Sequence, residues 1–420
     1  MTAIATVPLW RGRALALVGI LLVGLNLRTA VAALSPIFAE VSVDVPLGSL
    51  SIGVLGMLPP VCFTIFGITA PMLHRRFGLE RILVAALIAM LLGHVTRSLA
   101  DNFSVLSGAS ALAFAGMGVA NVLLPPLVKK YFPDRIGLLT SLYATSMAVG
   151  ATLPPLFAVP LTMAAGWRLS VGVWGVFALL SILPWLAIII SNQTRLSATN
   201  DVAAEEAEPE ILGRVWHSRI AWSLMLVFAL TGLNAYSMFA WLPAILADTT
   251  STSAAEAGAL LALYAGVGLP VSLLIPLLAG RMRNIGVLIY AGVLFYVLGY
   301  LGLLLAPATL TWLWVALAGL GPLLFPLSLV LINMRTRTHE GAVALSGFVQ
   351  GVGYGIAALG PVVLGVLHEL SGDWTLPIAF LLVSALSIVA AGLVVSRPRM
   401  LEDDWARPPS AGDTVFPGSD

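Results

Sequence analysis

The sequence predicts an all-helical membrane protein with twelve transmembrane helices in two six-helix pseudo-symmetric halves. Three observations carry this expectation. The 420 residues are 59% hydrophobic and only 10% charged, against about a quarter charged in soluble domains, and the mean hydropathy is +0.99. Apolar runs of bilayer-crossing length, about 20 residues, recur along the whole chain. The later runs also repeat the earlier ones in register.

The runs lie near 14–40, 49–73, 79–99, 103–130, 136–164 and 168–192, then near 218–247, 254–279, 284–306, 309–334, 341–368 and 374–396. Each must be helical, because hydrocarbon leaves every backbone N–H and C=O to be satisfied within its own segment. The first run follows Arg11 and Arg13 as a secretory signal would. It is too long for a signal core and is followed by a second run, so it reads as span 1. The expected organisation is a cytoplasmic N-terminus (1–13), an N-terminal half (14–192), a linker (193–217), a C-terminal half (218–396) and a disordered cytoplasmic tail (397–420). The linker carries Glu205, Glu206, Glu208 and Glu210, and the tail is rich in Pro, Gly and Asp, compositions that solvate rather than fold.

Lys and Arg set the orientation. One side collects Arg11, Arg13, Arg75, Arg76, Arg81, Lys129, Lys130, Arg135, Arg195, Arg214 and Arg219. Arg281, Arg283, Arg335, Arg337, Arg397, Arg399 and Arg407 add to it, whereas the other side holds only Arg97 and Arg168. Both termini are therefore expected in the cytoplasm of a multi-pass cell-membrane protein. A net charge of +1 supplies no basic excess for nucleic acid. The one cysteine, Cys62, reads as a small buried hydrophobe.

The repeat is the most informative pattern. GLNLRTAVAALSPIFAE in span 1 matches GLNAYSMFAWLPAILAD in span 7, pairing Asn26 with Asn234 and Pro36 with Pro243. Gly53 and Pro71 correspond to Gly258 and Pro276, and Trp167 to Trp374. Duplicated halves of this kind meet about an axis along the membrane normal, with a solute site between them near midplane. These features resemble the major facilitator superfamily from about Leu15 to Arg397. NLRTAVAALSPI at Asn26–Ile37 is similar to the Asn-Leu-Arg signature in the first helix of its cyanate permease and nitroimidazole transporter branch. The resemblance implies that spans 1, 4, 7 and 10 line a cavity, helped by 2, 5, 8 and 11, and that the protein works as a monomer. The superfamily's loop between spans 2 and 3 usually carries Gly-x-x-x-Asp-Arg-x-Gly-Arg. Here PMLHRRFGLER puts Pro71 at the first Gly and Arg75 at the Asp while keeping Arg76 and Gly78. An ion-pair gate at that Asp is therefore not expected in its usual form.

Arg28 is the strongest functional signal. A charge near the middle of a span costs about 2.5–3.5 kcal/mol on insertion scales and must face a partner or a wet cavity. No Asp or Glu occupies the centre of a span; Glu40 and Asp248 lie at span ends. A guanidinium offers a donor fork suited to carboxylate-like or linear anions; the alternative is a structural Arg bonded to carbonyls. Around it, Asn26, Asn121, Tyr143, Asn234, Trp241, Tyr264, Gln350 and Tyr354 are the polar and aromatic candidates for solute contact. Asn26 and Asn234 serve equally well as bonds between the halves, and each aromatic serves in packing. His94 reads as an interfacial residue of span 3. Without a mid-span carboxylate, coupling to a proton or counter-ion would run through the solute, His94 or tyrosine hydroxyls, or would not exist.

GVGYG at Gly351–Gly355 lies inside an apolar run without a preceding strand, so it is a packing ridge rather than a nucleotide loop. Pro59, Pro60, Pro125, Pro126, Pro322 and Pro326 mark expected kinks. No metal spacing, cofactor motif, catalytic triad or Walker motif occurs, so neither an enzyme nor an ATP-driven pump is expected. The expectation is a carrier of a small anion or small polar solute, with efflux of a neutral or weakly basic organic compound as the competing reading. A membrane sensor is disfavoured because the loops are too short for a signalling domain.

Overall fold

The computed structural model describes residues 13–193, 213–282 and 284–404, so most of the linker and of the tail lies outside the described residues. No strand occurs among them, and ten helical stretches are long and apolar enough to cross a membrane. One of the ten, Ile136–Ser191, is 56 residues long and holds two spans. With the broken first span, the total is twelve.

Spans 2, 3 and 4 are Ser49–Phe77, Leu79–Ser98 and Phe103–Tyr131. Spans 5 and 6 run through Ile136–Gly172 and Gly175–Gln193, and the chain turns between them at Gly166, whose φ of 82° suits glycine alone. Span 7 is one helix, Arg219–Thr250, and spans 9 and 12 are Gly286–Leu305 and Thr375–Val395. Spans 8, 10 and 11 are interrupted: Ala254–Gly266 then Gly268–Arg281; Thr311–Leu320, a 3-10 turn at Gly321–Leu323, then Leu324–Met334; and His339–Ala357 then Leu359–Ser371.

Proline explains two of these interruptions. A proline in a helix clashes with the carbonyl four residues earlier and removes one ladder bond. The helices ending at Gly266 and Ala357 stop four residues before Pro270 and Pro361. Pro322 lies in the 3-10 turn of span 10 as expected, whereas span 2 continues through Pro59 and Pro60 and span 4 through Pro125 and Pro126.

The repeat survives as bonding. In the first half, Asn26 donates to Ser181 Oγ of span 6 at 2.9 Å; in the second, Asn234 donates to Ser384 Oγ of span 12 at 2.9 Å. Trp167 donates to Asp44 at 2.9 Å and Trp374 to Asp248 at 2.8 Å. Each half thus ties its first span to its last in the same way.

The seam between halves is also duplicated. A Cβ built on Gly53 would stand 3.1 Å from the Pro361 carbonyl oxygen, and one on Gly258 2.6 Å from that of Pro155. Only glycine lets spans 2 and 11, and spans 8 and 5, approach so closely. Both contacts lie at the end away from the basic loops. Nearer the basic end spans 2 and 11 still meet, Thr64 Oγ1 donating to the Gly351 carbonyl at 3.4 Å, whereas a Cβ at Gly137, Gly280 or Gly347 would meet nothing within 4 Å.

The first residues of the expected tail are docked. Leu401 is buried, and Glu402 accepts the N–H groups of Arg337 at 2.9 Å and Thr338 at 3.0 Å. Arg337 also pairs with Asp403 at 2.6 Å. The expectation of disorder from 397 onward is therefore corrected as far as 404, because a buried leucine and a capped helix start hold this stretch; 405–420 lie outside the described residues.

Candidate functional site

Charge and irregular backbone coincide in span 1. Its helix Ala14–Asn26 stops, residues 27–34 pass as turns, and a 3-10 turn at Ser35–Ile37 leads into a short helix at Phe38–Asp44. Turn bonds replace the ladder: Thr29 Oγ1 donates to the Asn26 carbonyl at 3.1 Å, and the Val31 N–H to the Arg28 carbonyl at 3.2 Å. Pro36 can offer no N–H to this stretch. Arg28 therefore projects from a break in the span rather than from a regular helix, a correction to the sequence expectation.

The half-buried Arg28 guanidinium reaches across the seam. Its Nη1 donates to Tyr236 Oη at 3.4 Å, its Cζ lies 5.3 Å from the Phe63 ring centroid, and the Tyr354 hydroxyl also faces it. No carboxylate among the described residues pairs with it. Tyr354 meets Phe63 and Phe228 edge-on at 5.8 Å and 5.0 Å, and lies 6.3 Å from Phe325. Spans 2, 7, 10 and 11 thus supply an aromatic cup in which Phe63, Tyr236 and Tyr354 face the one cation from span 1 while Phe228 and Phe325 back Tyr354. Such a cup can take a solute rich in acceptors, because guanidinium and phenol hydroxyls donate while the rings stack on a flat face.

Of the residues expected from sequence, Arg28 and Tyr354 meet here. Gln350 lies one turn before Tyr354 and donates to Ser346 Oγ at 2.8 Å. Asn121 is half-buried in span 4 and makes no hydrogen bond to a described residue. Tyr143 is half-buried and packs on the core. Four others lie away from the cup. Asn26 and Asn234 are fully buried and spend their amide N–H groups on the serines above and on carbonyls one turn back, so they scaffold each half rather than join the two. Trp241 donates to the Pro361 carbonyl at 2.8 Å, within its own half. Tyr264 is buried edge-on against Phe239 at 5.6 Å, its hydroxyl unpartnered among the described residues.

In the loop between spans 2 and 3, Gly78 (φ 85°) makes the turn and Arg76 stacks on Phe77 at 5.4 Å; Arg75 lies in the preceding helical turn. His94 is fully buried, with Nδ1 3.3 Å from the Val171 carbonyl, rather than interfacial. Among the described residues, no three metal-ligating side chains converge.

The sequence reading missed Tyr236, Phe63, Phe228 and Phe325. Tyr236 was within reach: it stands at the register of Arg28 in the repeat, offset by the same 208 residues that separate Asn26 from Asn234. The phenylalanines carried no signal beyond belonging to apolar runs.

Comparison with known proteins agrees with this fold. Residues 16–321 match the family model described as Major Facilitator Superfamily. The chain is 31% identical to the 2-nitroimidazole transporter of Escherichia coli (strain K12), over 93% of this chain and 97% of that protein. It is 26% identical to the cyanate transport protein CynX of the same organism, over 90% and 95%. In fold it matches a bacterial homolog to the human lysosomal transporter Spinster, solved inward-facing and occupied, with a TM-score of 0.73 at 17% identity, covering 96% of this chain and 100% of that one. The chain belongs to the major facilitator superfamily, in the branch that holds the nitroimidazole and cyanate transporters, and is a multi-pass membrane transporter rather than an enzyme.

Proposed function

We propose that the protein is a secondary carrier for a small anion or small acceptor-rich polar solute, bound in the aromatic cup with Arg28 as the charge-recognising group. The observation that carries this reading is a half-buried guanidinium facing two phenol hydroxyls with no carboxylate partner among the described residues. A cation partly withdrawn from water without a counter-charge is costly, and an arriving anion supplies the missing counter-charge. Alternating access is the transport cycle that fits: the halves approach closely across Gly53 and Gly258 at the end away from the basic loops, and rocking about the seam would open that end. The basic end is the cytoplasmic one on the positive-inside rule, which puts both termini in the cytoplasm of the cell membrane, and the carrier acts as a monomer.

A membrane potential negative inside opposes anion entry by about 2.3 kcal/mol per charge per 100 mV. Anion uptake therefore needs a coupled proton or counter-ion, whereas export runs downhill. The rings of Phe63, Phe228, Phe325 and Tyr354 favour a second reading, export of a flat neutral or weakly basic compound of nitroimidazole type, in keeping with one relative.

The deciding experiment is flux into liposomes holding the purified protein, with cyanate, small carboxylates and 2-nitroimidazole offered in turn. Wild type and Arg28→Gln are compared with membrane potential and pH gradient set independently. Anion flux abolished by the substitution establishes the anion carrier. Heterocycle flux that survives the substitution, without anion flux, moves the export reading ahead.

A further inference from the structure

A second arginine lies beyond the cup. Arg97 is only 1% exposed, although it lies in the last turn of span 3. Its Nη1 reaches the Ala30 carbonyl in the break of span 1 at 3.4 Å, and its Cζ lies 5.9 Å from the Phe114 ring centroid. Among the described residues its Nε is buried without a partner, and so is Ser35 Oγ, which lines the same small cavity. Ser110, whose hydroxyl donates to the Leu106 carbonyl at 2.7 Å, lines it too. No Asp or Glu lines this space. The cavity is small, about 20 Å³, on the scale of one or two waters, which favours a compact ion over a carboxylate or a nitroimidazole.

We infer that this cavity is a binding site for a monatomic anion of chloride size, held by Arg97 and the Ser35 hydroxyl, and separate from the solute cup. The chemistry calls for a counter-charge: a fully buried guanidinium with one long carbonyl bond has its Nε–H unmatched among the described residues and no carboxylate beside it. A serine hydroxyl that bonds nothing can rotate its proton toward an anion. The walls set when the site exists. Ala30, Ser35, Gly56 and Arg97 come from the first half, whereas Tyr236 and Ala240 come from span 7 of the second. Separating the halves at this end would dismantle the cavity. A halide bound here therefore stabilises the conformation closed at the end away from the basic loops, because a ligand shifts an equilibrium by its differential affinity for the two states. Tyr236 also belongs to the Arg28 cup, so the two sites share a wall.

The test uses the full-length protein in detergent at fixed ionic strength, replacing gluconate by chloride or bromide. Halide is expected to raise the unfolding temperature saturably, while gluconate, too large for the cavity, gives no saturable shift. Arg97→Gln should abolish the halide effect and Arg28→Gln should retain it, which keeps this inference separable from the proposed solute. If Arg97→Gln does not fold, Ser35→Ala should still weaken the halide midpoint several-fold. Gly258→Ala, which crowds the seam, should weaken it too. Anomalous scattering from bromide-soaked crystals should show a peak beside Arg97. An unchanged halide effect in the Arg97 or Ser35 variant, an equal saturable shift from gluconate, or bromide peaks confined to the exposed surface would each overturn the assignment.

Discussion

Spans 1 and 7 descend from the same pattern and have diverged in one respect that matters. Both carry Gly-Leu-Asn, both donate that Asn to a serine of the last span in their half, and both end at a carboxylate that accepts an indole N–H. At the next register position but one, span 7 has Tyr236 and remains a single 32-residue helix, whereas span 1 has Arg28 and breaks. The two side chains meet at 3.4 Å. Duplication thus delivered two equivalent positions to one point between the halves, and divergence made one a cation and the other its neutral donor neighbour. The difference teaches that the scaffold and the site have separate determinants: shared residues hold each half together, and the departure from symmetry carries recognition.

The largest expected effect comes from moving that asymmetry. Arg28→Gln removes a charged donor and should lower anion flux at sub-saturating solute by roughly 10–100-fold, taking about 1.5–3 kcal/mol for a charged hydrogen bond. The exchange Arg28→Tyr with Tyr236→Arg keeps composition and charge but seats the cation on the unbroken helix. Flux should remain at the level of the single variant, because a guanidinium on span 7 leaves from a regular helix with a different direction. Recovery of wild-type flux in liposomes would show that the break in span 1 is dispensable.

The next contrast is between the two seams. Gly258→Ala would place a methyl 2.6 Å from the Pro155 oxygen, whereas at Gly53 the tightest approach is 3.0 Å, to Val362 Cα. Overpacking of this kind costs typically about 1–3 kcal/mol, and here it falls on the closed end. Spin labels across that end should therefore separate more in Gly258→Ala than in Gly53→Ala. Equal distances in both variants would mean that the seams do not hold the closed end.

Below these come the asparagine clamps. Asn26→Ala and Asn234→Ala each leave a buried serine without its donor, for an expected loss of about 1–2 kcal/mol seen as similar falls in unfolding temperature. If Asn26→Ala alone removes flux at unchanged stability, Asn26 contacts solute and the scaffold reading of that residue is wrong.

These contrasts also show what the sequence could and could not reveal. Hydropathy marked the spans because hydrocarbon permits little else, and the repeat marked Asn26, Asn234, Trp167 and Trp374 as equivalent pairs. It did not reveal that the asparagines turn inward, since an amide in a helix bonds a serine or a solute with equal ease. Arg28 was legible because a mid-span charge has few explanations. Arg97 was not: at the end of a run it reads as a loop residue, and only the fold folds it back onto the Ala30 carbonyl. The aromatic cup was legible only in part, because phenylalanine is as common in packing as in recognition.

The smallest expected effect concerns how each half is clasped at the basic end. The first half uses Arg13, just before span 1, paired with Asp134 at 2.6 Å; the second uses the segment just after span 12, where Leu401 is buried and Asp403 pairs with Arg337. Leu401→Ala should lower stability by about 2 kcal/mol. Asp403 adds a pH signature. Its carboxyl is held below the usual carboxylate range, first by the Met400 N–H and then by Arg337 and Arg399. A depressed carboxylate contributes stability that is full above its unfolded value, about 3.9, and is lost as pH falls through the folded value. Unfolding temperatures of wild type and Asp403→Asn should therefore differ at pH 5 and converge toward pH 3. A difference that persists at pH 3 would place the contribution in shape rather than charge, and the two clasps would then be alike in position but not in chemistry.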